Sequence, residues 1–188
     1  VHLKSSGLGM LHHNAQLANP MNPFVIELKK YTGKRKKTDD DLRMIAQIEF
    51  LGGLWRNPKN EPCVPTHTLI AVIRDGLKQR KKGQAGLRAL RCFDDGELIY
   101  QGPRKPEMLW ADERFRLQTM ETVPGGKILR TRPLFPQWEL KFTLSFFVDL
   151  LDLQDIEQAL EVVGDQIGIG DRRPTHGRFE VLSVKEAT

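Results

Sequence analysis

Cysteine is scarce in this sequence: Cys63 and Cys92 are the only two, and they sit far apart. That rules out a disulfide framework and leaves no zinc-ligand spacing. A reducing compartment is the simpler expectation, and with it a cytoplasmic location. No apolar run approaches the ~20 residues needed to cross a bilayer, so no membrane partner is expected. No signal-peptide pattern is visible, although a chain that opens on Val1 rather than Met is expected to lack its natural start. Aromatic residues make up only 7% of the chain, and the aromatic signature of strand-binding RRM domains is missing. The P-loop, the dinucleotide fingerprint and the hydrolase nucleophile elbow are missing too. No cofactor, metal site or catalytic residue is therefore assigned. No internal repeat or low-complexity segment is found.

What is present suits one medium domain with a real core. Of 188 residues, 39% are apolar and 28% charged. There are 29 Lys and Arg against 24 Asp and Glu, a formal net charge of +5. That permits a polyanionic partner without requiring one.

The chain reads as alternating strands and helices. A first strand over Val1–His13 is broken by a turn at Gly7-Leu8-Gly9, and Asn14–Pro23 is a loop. A short helix is expected over Phe24–Tyr31. A second starts at Thr38, with Asp39, Asp40 and Asp41 favouring the positive end of its dipole, and stops at Gly52-Gly53. After a break at Pro62–Pro65, Thr66 or Thr68 caps a helix whose Leu69, Ile70, Ile73 and Leu77 share a face. Strands are expected over Leu87–Phe93 and Glu97–Tyr100 around Asp94-Asp95-Gly96, a turn signal before it is a metal site. Two more follow over Phe115–Val123 and Ile128–Arg132, parted by Pro124-Gly125-Gly126. Strict alternation from Trp138 to Phe146 marks the clearest strand. Asp152 then caps a helix over Leu153–Val163, with Gly164 expected just past its end. A last strand runs from Phe179 to Val184. The order predicts an α+β fold, an antiparallel sheet of ferredoxin-like or RRM-like type with packed helices.

Between that last helix and strand lies the most informative stretch, Ile167-Gly168-Ile169-Gly170-Asp171-Arg172-Arg173-Pro174-Thr175-His176-Gly177-Arg178. Gly168, Gly170 and Gly177 let the backbone turn and approach a ligand. Free N–H groups beside Arg172, Arg173 and Arg178 would seat a phosphate. The competing explanation is a tight turn with solvated arginines. Other basic groups are Lys34, Arg35, Lys36 and Lys37, then Arg74, Lys78 and Lys82 at four-residue spacing, then Arg130 and Arg132. Trp55, Tyr100 and Trp110 are loop aromatics on which bases could stack. His12, His13, His67 and His176 are candidate general acids or bases, since an unperturbed imidazole changes charge near neutral pH. A structural or RNA-contacting role outweighs catalysis for them.

Three segments together resemble the RAMP superfamily, the repeat-associated proteins of CRISPR systems. They are the glycine-rich stretch from Gly168 to Gly177, the proline-led helix Cys63-Val64-Pro65-Thr66-His67-Thr68-Leu69-Ile70-Ala71-Val72-Ile73-Arg74, and the opening strand and turn through Gly7-Leu8-Gly9-Met10-Leu11-His12-His13. Thr66-His67-Thr68 stands where the family usually has Gly-Ser-Ser, and Ile70 replaces the usual Lys. The likeness is to the crRNA-binding backbone subunits, or to a diverged or phage-borne relative. It implies one RAMP-like domain over residues 1–188, with residues 14–61 as an insertion carrying a helix. It also implies single-stranded nucleic acid as partner, RNA favoured, gripped by Gly168, Gly170, Arg172, Arg173, His176, Gly177, Arg178, Lys34, Arg35, Lys36, Lys37, Arg74, Lys78, Lys82, His12 and His13. Homo-oligomers or a larger complex along the strand are expected. The alternatives are an interaction or structural protein that imitates such a subunit, and an RNA endonuclease of the same superfamily using His12 or His13.

Overall fold

A computed structural model describes residues 1–124 and 126–186 of the chain. Gly125, in the expected Pro124-Gly125-Gly126 break, lies outside them. The described residues divide into two compact units. The first takes Val1–Leu11, Arg56–Gln101 and the chain from Phe135 onward; the second takes His12–Trp55 and Gly102–Leu134.

The first unit is built on an antiparallel sheet. Its strands are β1 (His2–Ser5), β3 (Cys63–Val64), β4 (Gly96–Ile99), β7 (Glu139–Lys141) and β8 (Phe179–Ser183), in the order β3-β4-β7-β1-β8. A further short strand, β2 (Met10–Leu11), follows the Gly7-Leu8-Gly9 turn. Two helices, α3 (Thr66–Gln79) and α6 (Leu153–Val162), complete the pattern. Read along the chain, β1-α3-β4-β7-α6-β8 with β8 beside β1 and β4 beside β7 is the ferredoxin-like arrangement. The register puts Leu3 opposite Leu140 and Val181, and Leu140 opposite Leu98. That row lies on the core side, while Lys4, Glu97, Lys141 and Glu180 are exposed on the other.

Local chemistry explains most of these elements. Asp152 and Asp155 form a reciprocal capping box at the start of α6. The start of α3 is capped from a distance: neither Thr66 nor Thr68 caps it, and Asp95 Oδ1 accepts from the Thr66 N–H at 3.1 Å. The same carboxylate takes the buried Cys63 thiol at 3.6 Å. Burial and that neighbouring charge push the Cys63 thiol up to about 12, so it stays an unreactive core group.

Three expectations need correction here. Leu87–Phe93 is not a strand: α4 (Gly83–Ala89) occupies its first half. Two glycines give that segment poor intrinsic helix propensity, yet Gly86 lets it sit against Leu77, where a Cβ would come within 2.6 Å of Leu77 Cδ1. The strand expected over Trp138–Phe146 forms a regular ladder only across Glu139–Lys141, with an isolated antiparallel bridge from Ser145 to Arg91 beyond it, although Trp138, Leu140 and Phe142 are buried in alternation as foreseen. Gly164 does not end α6. It lies inside a π-turn, Val163–Ile167, and its bare α-carbon faces Phe179 O, which a Cβ would approach to 2.2 Å.

The second unit pairs two helices, α1 (Pro23–Thr32) and α2 (Asp39–Gly53), with a short α5 (Pro106–Ala111) and a hairpin of β5 (Arg116–Val123) and β6 (Gly126–Phe135). Asn22 caps α1 with proline at its first position, and Thr38 with Asp41 forms a capping box on α2. The buried Glu49 carboxylate ties α2 to β6, accepting from Arg130 Nη1 at 2.5 Å and from the Thr131 N–H at 2.9 Å. This second body draws on Gly102–Leu134 as well as on the stretch expected as an insertion.

In the first unit, α3 and α6 cross at Gly76, where a Cβ would lie 2.2 Å from Ala159 O. Glycine to alanine inside a helix ordinarily gains roughly 1 kcal/mol. Gly76→Ala is expected to do the reverse and cost about 1–3 kcal/mol, because a backbone carbonyl cannot swing aside. Urea unfolding of the variant checks the sign, and a raised midpoint would contradict the close crossing.

Candidate nucleic-acid interface

The glycine-rich loop begins where the π-turn ends. Gly168, at φ 81°, sends its N–H back to Val163 O at 2.6 Å. Ile169 is fully buried, and its N–H reaches Gly177 O at 2.8 Å. Gly177, at φ 79°, donates to Gly9 O at 2.6 Å and has Ile169 O where a Cβ would project. Asp171 N–H donates to Leu11 O at 2.9 Å, and His176 N–H to Arg172 O at 3.1 Å. These five donors are spent inside the protein. The glycines therefore make close backbone crossings, and the expected seat of free N–H groups at Gly168 and Gly177 is not formed. What the loop offers outward is its tip, with side chains rather than amides.

The tip lies against α3. Arg173 Nη1 reaches Asp75 Oδ2 at 3.3 Å, and Lys78 Nζ reaches Asp75 Oδ1 at 2.8 Å. Partial burial works to raise the Asp75 carboxyl, but these two cations outweigh it and hold the group below the usual carboxylate range. Arg74, the next residue on α3, keeps its Nε buried with no hydrogen-bond partner among the described residues. Arg172, at φ 56°, is half-buried and engaged. Arg178 braces the loop, with Nη1 on Asp165 O at 2.6 Å and Nε on Pro174 O at 3.1 Å. Burial, then the nearby Arg172 charge, lowers the His176 imidazole, which favours its neutral form.

The structure thus brings Arg173 and Lys78 together at Asp75, and several of the other basic candidates have tasks of their own. Lys82 is a clamp: both oxygens of Asp155, whose side chain is 7% exposed, accept from its Nζ at 2.6 and 2.7 Å. Burial raises Asp155, but Lys82 and the Asp152 N–H prevail and lower it. Lys34, Arg35, Lys36 and Lys37 belong to the second unit, all exposed. Lys34 pairs with Asp41 at 2.6 Å, and Lys37 donates to Lys34 O. Arg130 is held by Glu49 and has a structural task.

His12 requires the firmest correction. Its side chain is 0% exposed, its Nδ1 accepts from the Trp55 N–H at 3.2 Å, and its ring lies 4.4 Å from that of Trp55. Burial pushes its imidazole down to about 3. A neutral, sealed imidazole neither touches a phosphate nor exchanges protons with an RNA. His13 is half-buried beside it in sequence and also engaged, while His67 is exposed on the first turn of α3.

Trp55 and Tyr100 are buried, and Trp110 is half-buried under the Arg116 guanidinium, 4.6 Å from its ring centroid. The solvent face of the first unit's sheet carries charged side chains of both signs, so it offers no stacking platform of the RRM kind. No group of three or more metal-ligating side chains is found among the described residues, and none of their helices is long and apolar enough to cross a membrane.

Asp75 is the member of the cluster that sequence reasoning passed over. Its signal was there: one acid within an otherwise basic run from Arg74 to Lys82. Comparison with known proteins gives no further name to this arrangement. No protein-family model matches the chain, and no curated protein is significantly similar to it.

The buried His12 yields a pH prediction. Its folded value lies below the unfolded ~6.5, so below that pH the unfolded chain binds the extra proton. Stability is then fully present above pH 6.5 and falls as pH drops. The slope approaches about 1.4 kcal/mol per pH unit from this group. Denaturant unfolding at pH 6.5 and 5 measures it. His12→Gln should flatten the difference relative to wild type, and an unchanged slope would place the titrating group elsewhere.

Proposed function

We propose that this protein binds single-stranded nucleic acid, RNA in preference, as a RAMP-like subunit that grips the phosphate backbone through the tip of its glycine-rich loop. The observation that carries the reading is the meeting of Arg173 and Lys78 at Asp75. Arg173 lies in the loop between α6 and β8 of a ferredoxin-like core, the location that the family resemblance implies for RNA contact, and Lys78 lies on α3.

The mode of contact follows from what surrounds the tip. Guanidinium groups offer forked donors that suit phosphate oxygens. With no aromatic stacking face beside them, affinity rests on charge. Binding is then sequence-tolerant and salt-sensitive, since each neutralised phosphate releases a counterion. A protein that reads backbone rather than bases can repeat along a strand, and assembly on RNA belongs to the same reading. The endonuclease alternative loses His12 as its general acid–base.

A labelled single-stranded RNA of mixed sequence, titrated by anisotropy between 50 and 200 mM salt, tests this. Each phosphate contact contributes a slope of about −0.7 in log K against log salt. The double variant Arg172→Ala, Arg173→Ala should weaken binding to all sequences and flatten the slope by roughly 1–1.5. No binding by the wild type, or an unaltered slope in the variant, would refute the assignment.

A further inference from the structure

The cation cluster at the loop tip already holds an anion, and that anion is part of the protein. Asp75 places one carboxylate oxygen on Lys78 at 2.8 Å and the other on Arg173 at 3.3 Å. Both cations stay partly open to solvent, at 54% and 37% side-chain exposure. A carboxylate bridging two cations in this way occupies the position that a bridging phosphate oxygen pair would take.

The loop does not need this contact to keep its place. Its base is closed by Ile169 N–H to Gly177 O, and it is moored by Gly177 N–H to Gly9 O and Asp171 N–H to Leu11 O. Arg178 adds two hydrogen bonds to loop and π-turn carbonyls. The Lys78–Asp75 contact is an i,i+3 pair on a helix surface, and the Arg173–Asp75 contact is single and long. Neither kind contributes much to stability when exposed. The cluster therefore has two cations sharing one internal carboxylate, with one oxygen for each.

We infer that Asp75 is a built-in competitor for the phosphate seat, setting the site to accept a polyphosphate backbone and to turn away isolated small anions. A phosphodiester chain engages Arg173 and Lys78 while its neighbouring phosphates are held elsewhere, and so displaces the carboxylate. A single phosphate has only the local contact to offer and loses to a carboxylate tethered in place. This rests on the reading of the loop tip as a phosphate-backbone site and adds to it the residue that sets its selectivity.

The test compares wild type, Asp75→Asn and Asp75→Ser. Two neutral replacements guard against a folding defect peculiar to either. The RNA probe is the labelled strand above, and the small-anion probe is inorganic tripolyphosphate, read by thermal shift. Removing the competing charge should tighten RNA binding roughly three- to fivefold at 100 mM salt and steepen the salt slope by up to about 0.7. Tripolyphosphate should raise the melting temperature of both variants more than that of wild type. Wild-type RNA binding with no gain in either variant by either probe would overturn the inference and leave the RNA reading standing. Absence of RNA binding in all three proteins, with tripolyphosphate still stabilising only the variants, would keep the internal competitor and remove the RNA reading. Silence with both probes would sink the two together.

Discussion

The backbone pairing of Ile169 with Gly177 is the contact on which the candidate site depends. It closes the base of a loop whose tip carries two arginines, and it requires a residue without a side chain at position 177, since a Cβ there would fall on the Ile169 carbonyl. From that closure the rest follows. Gly177 can reach Gly9, Asp171 can reach Leu11, and the tip between them is laid along α3 within reach of Asp75. Close packing at Gly76 and Gly164 brings α3, the π-turn and β8 into the tight frame that makes the loop a rigid part of the first unit.

Within that frame the basic residues sort by what they pair with. A surplus of five positive charges is spread over the whole chain, and much of what looked like a polyanion surface is internal bonding. Lys82 fastens the end of α3 to the start of α6, Lys34 pairs with Asp41 near the start of α2, and Arg130 holds β6 to α2. Such pairs satisfy a nearly buried carboxylate in each case, and removing the cation would strand it. The loop tip differs because its one acid serves two cations and is itself 25% exposed. Incomplete internal pairing, more than the count of lysines and arginines, sets this cluster apart from the others.

Much of the fold was legible because it is local. The capping residues Thr38 and Asp152 and the alternation around Leu140 each act within a few residues, and each appears where expected. The α+β, ferredoxin-like class followed from the alternation of strands and helices, since that topology is among the few ways to close such a series. What failed depends on distant partners. The α4 helix forms on glycines because Leu77 lies beneath Gly86. The cap of α3 comes from Asp95, on the turn before β4. The second unit is assembled from two separate stretches. For the site, the arginines of the loop were legible from composition, but the fate of the loop amides was not, because their acceptors at Leu11 and Gly9 lie at the other end of the chain.

The central claim is that a nucleic-acid backbone is held by the side chains of the loop tip and the adjoining turn of α3. Arginine Nε–Hε resonances of protein labelled with nitrogen-15 at arginine, followed while unlabelled single-stranded RNA is added, report on it directly. The account predicts a saturable shift of Arg173, with Arg130 unmoved at its Glu49 partner. Shifts confined to arginines outside the tip, or none while RNA binds, would contradict it.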